Sequence, residues 1–305
     1  MSFAELLATQ RRISDLDKML ELVQWDRFRY RLKKLLDRSP EGRPAYDELA
    51  MFRVMILQNL YNLSDRQMEE MLYDRLSFRR FCGFGLEENL PDATTILRFR
   101  SLLQGQSEKL LQLVNEELAE KGISWAGGSI VDATVIESGC ATPPGGEQSP
   151  TDSEAGWTRK RGRYTYGYKA HISTTKNGLI RKAQATSADI HDSLVFGQLL
   201  DGSETKVYAD KAYSSKKHRK LLQDHGIKDG ILHKKPKGKE MQEFLKSLNK
   251  INGRIRSTIE RTFAHLKTIF GYREARYKGW AKNQVQLDLL SISYNLKRSL
   301  RLVAG

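Results

Sequence analysis

The feature that most constrains this chain is a change of hydrophobic period at Gly127-Gly128. Before it, apolar residues recur at helical spacing, most clearly from Ala50 to Leu60. After it, Ser129-Ile-Val-Asp-Ala-Thr-Val-Ile136 is a β-branched run of strand length. Helices and strands present side chains with periods of 3.6 and 2, so the layer architecture has to change there. The expectation is an all-α part over about 1–125 and a mixed α/β part over about 126–305.

Within the first part, Ser64-Asp-Arg-Gln67 has the form of a capping box and predicts a helix to about Asp74. Asp92 is a natural N-cap for a helix carrying Arg98 and Arg100, and helix 107–121 stops at Gly122. In the second part, residues 138–163 hold three of the seven prolines and five glycines, which predicts a long flexible loop. Tyr164, Tyr166, Tyr168, Ala170 and Ile172 alternate with polar residues, and Asn177-Gly178 is a hairpin turn. An antiparallel pair, 164–172 with 179–188, follows from that turn. Then come a helix at about 191–200, a strand 206–210, a helix 216–223 and a short strand 230–233. Amphipathic helices are expected at about 255–270 and 284–301. Hairpin and crossover connections together predict a mixed sheet.

Charge divides along the same line. Residues 1–128 carry 19 Lys/Arg and 20 Asp/Glu, whereas 129–305 carry 32 and 17, out of an overall +14. A single-sign field of that size points to a polyanion, with nucleic acid first among them; a plain solubility surface is the alternative. With 39% hydrophobic and 29% charged residues the composition is globular, which excludes a disordered or fibrous chain. Two distant cysteines, Cys82 and Cys140, exclude a disulfide scaffold or a cysteine-rich zinc site. No apolar run reaches the roughly 20 residues that span a bilayer, and the N-terminal residues lack the order of a signal peptide, so a cytoplasmic, membrane-free protein is expected.

Three carboxylates stand out. Asp132 lies in the middle of an apolar strand, where an unpaired charge is costly and calls for a cation or an edge. Asp210 ends the strand Val207–Asp210, a position that commonly faces a cleft but also suits a turn. On a helical wheel Glu260 shares one stripe with Arg256 and Lys267, at the border of the apolar face made by Ile255, Ile259, Phe263, Leu266 and Phe270. Ser257-Thr-Ile-Glu260 also reads as a capping box, which would make Glu260 only a helix-start residue. Carboxylates on two strands and a helix, in a basic setting, suggest magnesium and phosphoryl transfer.

At these residues the chain resembles the bacterial DDE transposases of the insertion-sequence-five family, within the insertion-sequence-four-like group. In the first third the resemblance rests on Leu63-Ser-Asp-Arg-Gln-Met-Glu69, Ser77-Phe-Arg-Arg-Phe-Cys-Gly83 and Leu90–Arg100. Further on it rests on Val131-Asp-Ala-Thr134, Tyr166-Gly-Tyr-Lys-Ala-His171, His191-Asp-Ser193, Tyr208-Ala-Asp-Lys-Ala-Tyr213 and Ile259–Lys267. The resemblance implies an RNase H-like fold, with Asp132, Asp210 and Glu260 as catalytic residues holding two Mg2+ ions, for which Mn2+ can substitute. It implies DNA partners (terminal inverted repeats and target DNA) and a homodimer or larger synaptic complex. The group's Tyr-x2-Arg-x3-Glu-x6-Lys signature is matched by Arg256, Glu260 and Lys267, but Gly253 stands at the tyrosine position. Any role of that tyrosine is therefore not carried over.

Arg256 and Lys267 are expected to hold backbone phosphates, with Lys211 assisting. Further DNA contacts are expected from Lys169, Arg161, Arg163, Lys234, Lys235, Lys237, Arg98 and Arg100. The helical part is expected to bind the element ends, to dimerise, or to do both. Tyr164, Tyr166 and Tyr168 read as one core face, and His171 as a hydrogen-bonded structural residue. Adjacent His191-Asp192 also occurs in metal phosphohydrolases, but the flanking strands favour a helix start. A third reading is a protein that binds element ends without cutting them.

Overall fold

The computed structural model describes residues 14–36, 46–123, 125, 127–160, 162–236, 238 and 240–303. The expected contacts Arg161 and Lys237 lie outside the described residues. Up to Gly122 the described chain is helical: α1 (Asp15–Leu22), α2 (Trp25–Leu36), α3 (Glu48–Leu60), α4 (Asp65–Asp74), α5 (Leu76–Cys82), α6 (Ala93–Leu102) and α7 (Ser107–Glu120). The caps read from sequence are present. Ser64 and Gln67 bond reciprocally at the start of α4, and Asp92 accepts from the Thr95 N–H at the start of α6. Helix α3 is apolar nearly all round and is buried along its length, so the other helices wrap it.

From Ser129 the chain builds a seven-stranded mixed sheet. Its strands are β1 (Ser129–Ser138), β2 (Gly156–Lys160), β3 (Arg163–Thr175), β4 (Ile180–Ser187), β5 (Lys206–Ala209), β6 (Lys228–Ile231) and β7 (Glu274–Ala275). β3 runs antiparallel to β1, β2 and β4, whereas β5 is parallel to β1 and β6 to β5. The order β4-β3-β1-β5-β6, three antiparallel strands followed by two parallel ones, is the RNase H-like arrangement. α8 (Asp192–Val195), running into a 3-10 turn at Phe196–Leu199, and α9 (Lys216–Asp224) pack on one face. α10 (Glu243–Thr268) and α11 (Trp280–Val303) lie with the main core that the other face shares with the N-terminal helices. Among the described residues no helix is long and apolar enough to cross a membrane.

Two sequence expectations need correction. Residues 138–163 are not free of regular structure, because β2 lies within them. Trp157 packs on Tyr166 with ring centroids 5.3 Å apart, and Asp152 accepts from Ser138 Oγ and Tyr168 Oη. The many prolines and glycines hid a strand whose partner is local and whose anchors are tertiary. Second, α10 starts at Glu243, not near 255, so Ser257 is interior and its hydroxyl donates to the Arg254 carbonyl. Glu260 is therefore not a capping residue. The basic run obscured the helix, whose early turns are tied down through Asn249 to His233 and Asn252 to Lys206.

Candidate active site

Asp132 and Asp210 are brought together by strand register. Val131 pairs with Ala209 in the parallel β1–β5 ladder, so the next residue on each strand is an aspartate. Side chains alternate between faces. Val131, Val207 and Ala209 enter the core under α8 and α9, whereas Ile130 and Tyr208 enter the core on the α10 side. By the same parity Asp132 faces α10. Asp210, just past the end of β5, caps the 3-10 turn Lys211–Tyr213 and accepts from the Lys211 N–H at 2.6 Å.

The sheet opens at this point. β5 leaves β1 after residue 131, and β7 joins it only at Glu137. The β1 edge from 132 to 136 thus has no strand partner on that side. Helix α10 crosses the gap. Lys267 Nζ donates to the Val135 carbonyl at 2.7 Å, and Arg256 Nη1 donates to Asp132 Oδ2 at 2.8 Å. Arg256 Nη2 also donates to Glu260 Oε1 at 2.6 Å. The stripe of Arg256, Glu260 and Lys267 read from the helical wheel therefore faces the open edge, with Arg256 between two carboxylates.

The electrostatics follow from this geometry. Burial pushes the Asp132 carboxyl above its ordinary range; the Ala133 N–H and Arg256 pull it back, and Asp210 pushes it further up. Burial lowers Lys267, and Lys160 nearby lowers it further. Burial raises the Tyr213 hydroxyl, with Asp192, Asp132 and Asp210 adding to the effect. Asp132 and Asp210 suit a hard divalent cation, which takes oxygen ligands and relieves their mutual repulsion. Glu260 does not join them in this conformation. Among the described residues no three His, Cys, Asp or Glu side chains form a group able to hold a metal ion, and the side chain between Asp132 and Glu260 is the Arg256 guanidinium.

The other expected contacts divide by exposure. Arg98, Lys211, Lys234 and Lys235 are exposed, and Lys211 and Lys235 line one surface cavity of about 390 Å³. Arg163 is exposed and pairs with Glu137 at 3.2 Å. Lys169 is largely buried and bound to Asp192 at 3.0 Å and to the Ile190 carbonyl at 2.7 Å. Arg100 is buried against Asp65, Gln58 and the Tyr277 ring, which removes it from the surface that DNA can reach. The i,i+2 pattern of Arg98 and Arg100 gave no warning of this, since only packing decides which of two neighbouring helical residues points inward.

Of the three tyrosines, Tyr166 and Tyr168 are core residues, but Tyr164 is exposed beneath Arg159. His171 is fully buried, bonded through Nε2 to Thr186 Oγ1 at 2.8 Å, and burial lowers it to about 4. Lys160, one of the cations that interleave in sequence with Trp157 and the three tyrosines, acts by its charge on both Asp132 and Lys267. Its place in β2 was masked by the loop-like composition around it.

Two family models match the chain. One, described as a transposase DDE domain, covers residues 126–296; the other, described as a transposase domain (DUF772), covers residues 4–102. No solved structure matches the chain at a significant level.

Proposed function

The chain belongs to the transposases that carry this DDE domain, and we propose that it cuts DNA at the ends of a bacterial insertion sequence of the insertion-sequence-five kind and joins the 3′ ends to target DNA. The observation that carries the reading is the meeting of Asp132 and Asp210 at the open edge of β1, beneath Arg256 and Glu260 of α10. On this reading Asp132 and Asp210 hold magnesium, or manganese in its place, and Glu260 completes the set once Arg256 releases it. When bound, two such ions activate the attacking oxygen and neutralise the leaving one.

The residues of the chain supply the rest. Arg256 is a pre-placed cation that balances Asp132 and Glu260 and is well shaped to grip a phosphate bidentately when DNA arrives. Lys267 closes the open edge of β1 and fixes α10 over it. Lys211, Lys234, Lys235 and Arg163 present positive charge to the DNA backbone, in keeping with the basic balance of 129–305. The helical part, about 1–125, recognises the terminal inverted repeats or pairs two copies, so that both ends meet in one complex. The protein works in the bacterial cytoplasm, on the nucleoid.

The test is excision from a plasmid carrying the gene with its natural flanking DNA, scored at the donor junction, for wild type and Glu260→Gln. Excision by wild type that the variant loses, while it still binds the ends, supports the reading. Excision retained by Glu260→Gln means that this carboxylate has no part in the chemistry. End binding with no cutting by either protein favours a DNA-binding protein that does not cut.

A further inference from the structure

Beside the unpaired β1 edge a cavity of about 280 Å³ opens between that edge, the β2–β3 hairpin and the start of α8. This is just below the range for small-ligand pockets, about 300–1,000 Å³. Thr134 and Thr158 are among the residues that line it, and Arg159, Lys160 and His191 line its basic side. Lys169 and Asp192 also line it, but they neutralise one another at 3.0 Å. Arg159 and Lys160 make no ion pair among the described residues, and Arg159 lies over the Tyr164 ring, 5.1 Å from its centroid. The uncompensated charge of the cavity is therefore positive.

The His191 ring is fixed in one donating form. Its Nδ1 accepts from the Ser193 N–H at 3.2 Å and lies 2.7 Å from Ser193 Oγ. A nitrogen that accepts from a backbone N–H carries no proton, so the ring proton sits on Nε2. No described protein group uses that Nε2–H. The cavity thus combines two cations and a ring donor. That chemistry fits a phosphodiester, and the volume suits one phosphate with its sugar better than a base pair.

We propose that this cavity is a subsite for a single backbone phosphodiester of the DNA strand next to the bond that is cut, bound by Arg159, Lys160 and the Nε2–H of His191. The proposal rests on the DNA-cutting reading above. Asp132 lies two residues before Thr134 on β1, about 7 Å along the strand. A phosphate held here would set the register of the strand against the carboxylates, so the three side chains are positioning residues.

The experiment is a scan of end-sequence DNA with one neutral methylphosphonate at a time around the cut, measuring binding in a Glu260→Gln background that cannot cut. The proteins compared are that background alone and with Lys160→Gln or with His191→Asn, which keeps a side-chain acceptor for the Ser193 N–H. The expected result is one position where neutralisation weakens the background protein by about tenfold, the scale of one charge-assisted hydrogen bond. Both added variants should weaken binding to unmodified DNA and lose most of the sensitivity at that position alone. An unchanged position-by-position pattern in both variants overturns the subsite while leaving the transposase reading intact. A background protein that does not bind unmodified ends overturns the DNA-cutting reading, and the subsite falls with it.

Discussion

Arg256 and Glu260 belong to one ion-pair network but differ in what they stand to lose. Arg256 and Asp132 are both mostly shielded, with about a fifth of each side chain exposed, whereas Glu260 is 58% exposed. An exposed ion pair contributes little, and a glutamine can still accept from Arg256. Glu260→Gln is expected to change unfolding free energy by less than about 0.5 kcal/mol while abolishing excision. Arg256→Gln leaves Asp132 facing Asp210 without its cation, and is expected to cost about 1–2 kcal/mol in urea unfolding as well as activity. If both variants lose stability alike, Glu260 is part of the scaffold and its assignment to the chemistry weakens.

Between residue and fold, the telling element is α11. Strand β4 is paired with β3 on one side only, and α11 covers its other edge with side chains. Gln284 Oε1 accepts from the Ala185 N–H at 2.7 Å, and Asn295 Oδ1 from the Ile180 N–H at 2.8 Å. Trp280 Nε1 donates to the Ala185 carbonyl at 2.6 Å. A bare edge strand invites aggregation, and buried amides need partners. Asn295→Leu should therefore cost about 1–3 kcal/mol by calorimetry, far more than its small volume change suggests. Asp288 of the same helix is fully buried and pushed up to about 7 by burial, against its bonds from Ser107 and Gln284. Its folded value lies above the unfolded one, so its stabilising effect is complete below about pH 4 and fades as pH rises through about 7. His171, lowered to about 4, acts in the opposite sense, since its stabilisation is lost as pH falls through the same window. Asp288→Asn should thus make acid destabilisation between pH 7 and 5 steeper than in wild type, as read from urea midpoints. A shallower loss in the variant would contradict the sign.

Over the whole molecule, α11 is buried between the helical part and the sheet. Gln286 donates to Asn59 of α3, and Ser107 of α7 donates to Asp288. The two compositional halves are therefore expected to unfold in a single calorimetric transition, and residues 126–305 expressed alone should aggregate, with the apolar face of α11 uncovered. Two resolved transitions would show that the halves are energetically separate. The basic charge lies in 129–305, with 32 Lys/Arg against 17 Asp/Glu, so affinity for end DNA should fall steeply between roughly 50 and 200 mM salt. A flat affinity over that range would mean that backbone phosphates contribute little.

Local signals made much of this legible. The switch of period at Gly127-Gly128 marked the start of the sheet, and the capping residues Ser64 and Asp92 marked their helices. The wheel of α10 put Arg256, Glu260 and Lys267 on one stripe, because helical geometry alone decides which residues share a face. Gly156–Lys160 did not read as a strand, and α10 did not read back to Glu243, because both are held by partners distant in sequence or hidden by composition. Arg98 and Arg100 looked equivalent until packing buried one of them. The sequence by itself determined most of the elements, their order, the excess of charge and the stripe that Arg256, Glu260 and Lys267 share. Only the tertiary structure decided that β5 leaves β1 after Val131, so that Asp132 meets an open edge and Arg256 reaches across it, because strand register is a pairing between distant segments and no local pattern encodes it.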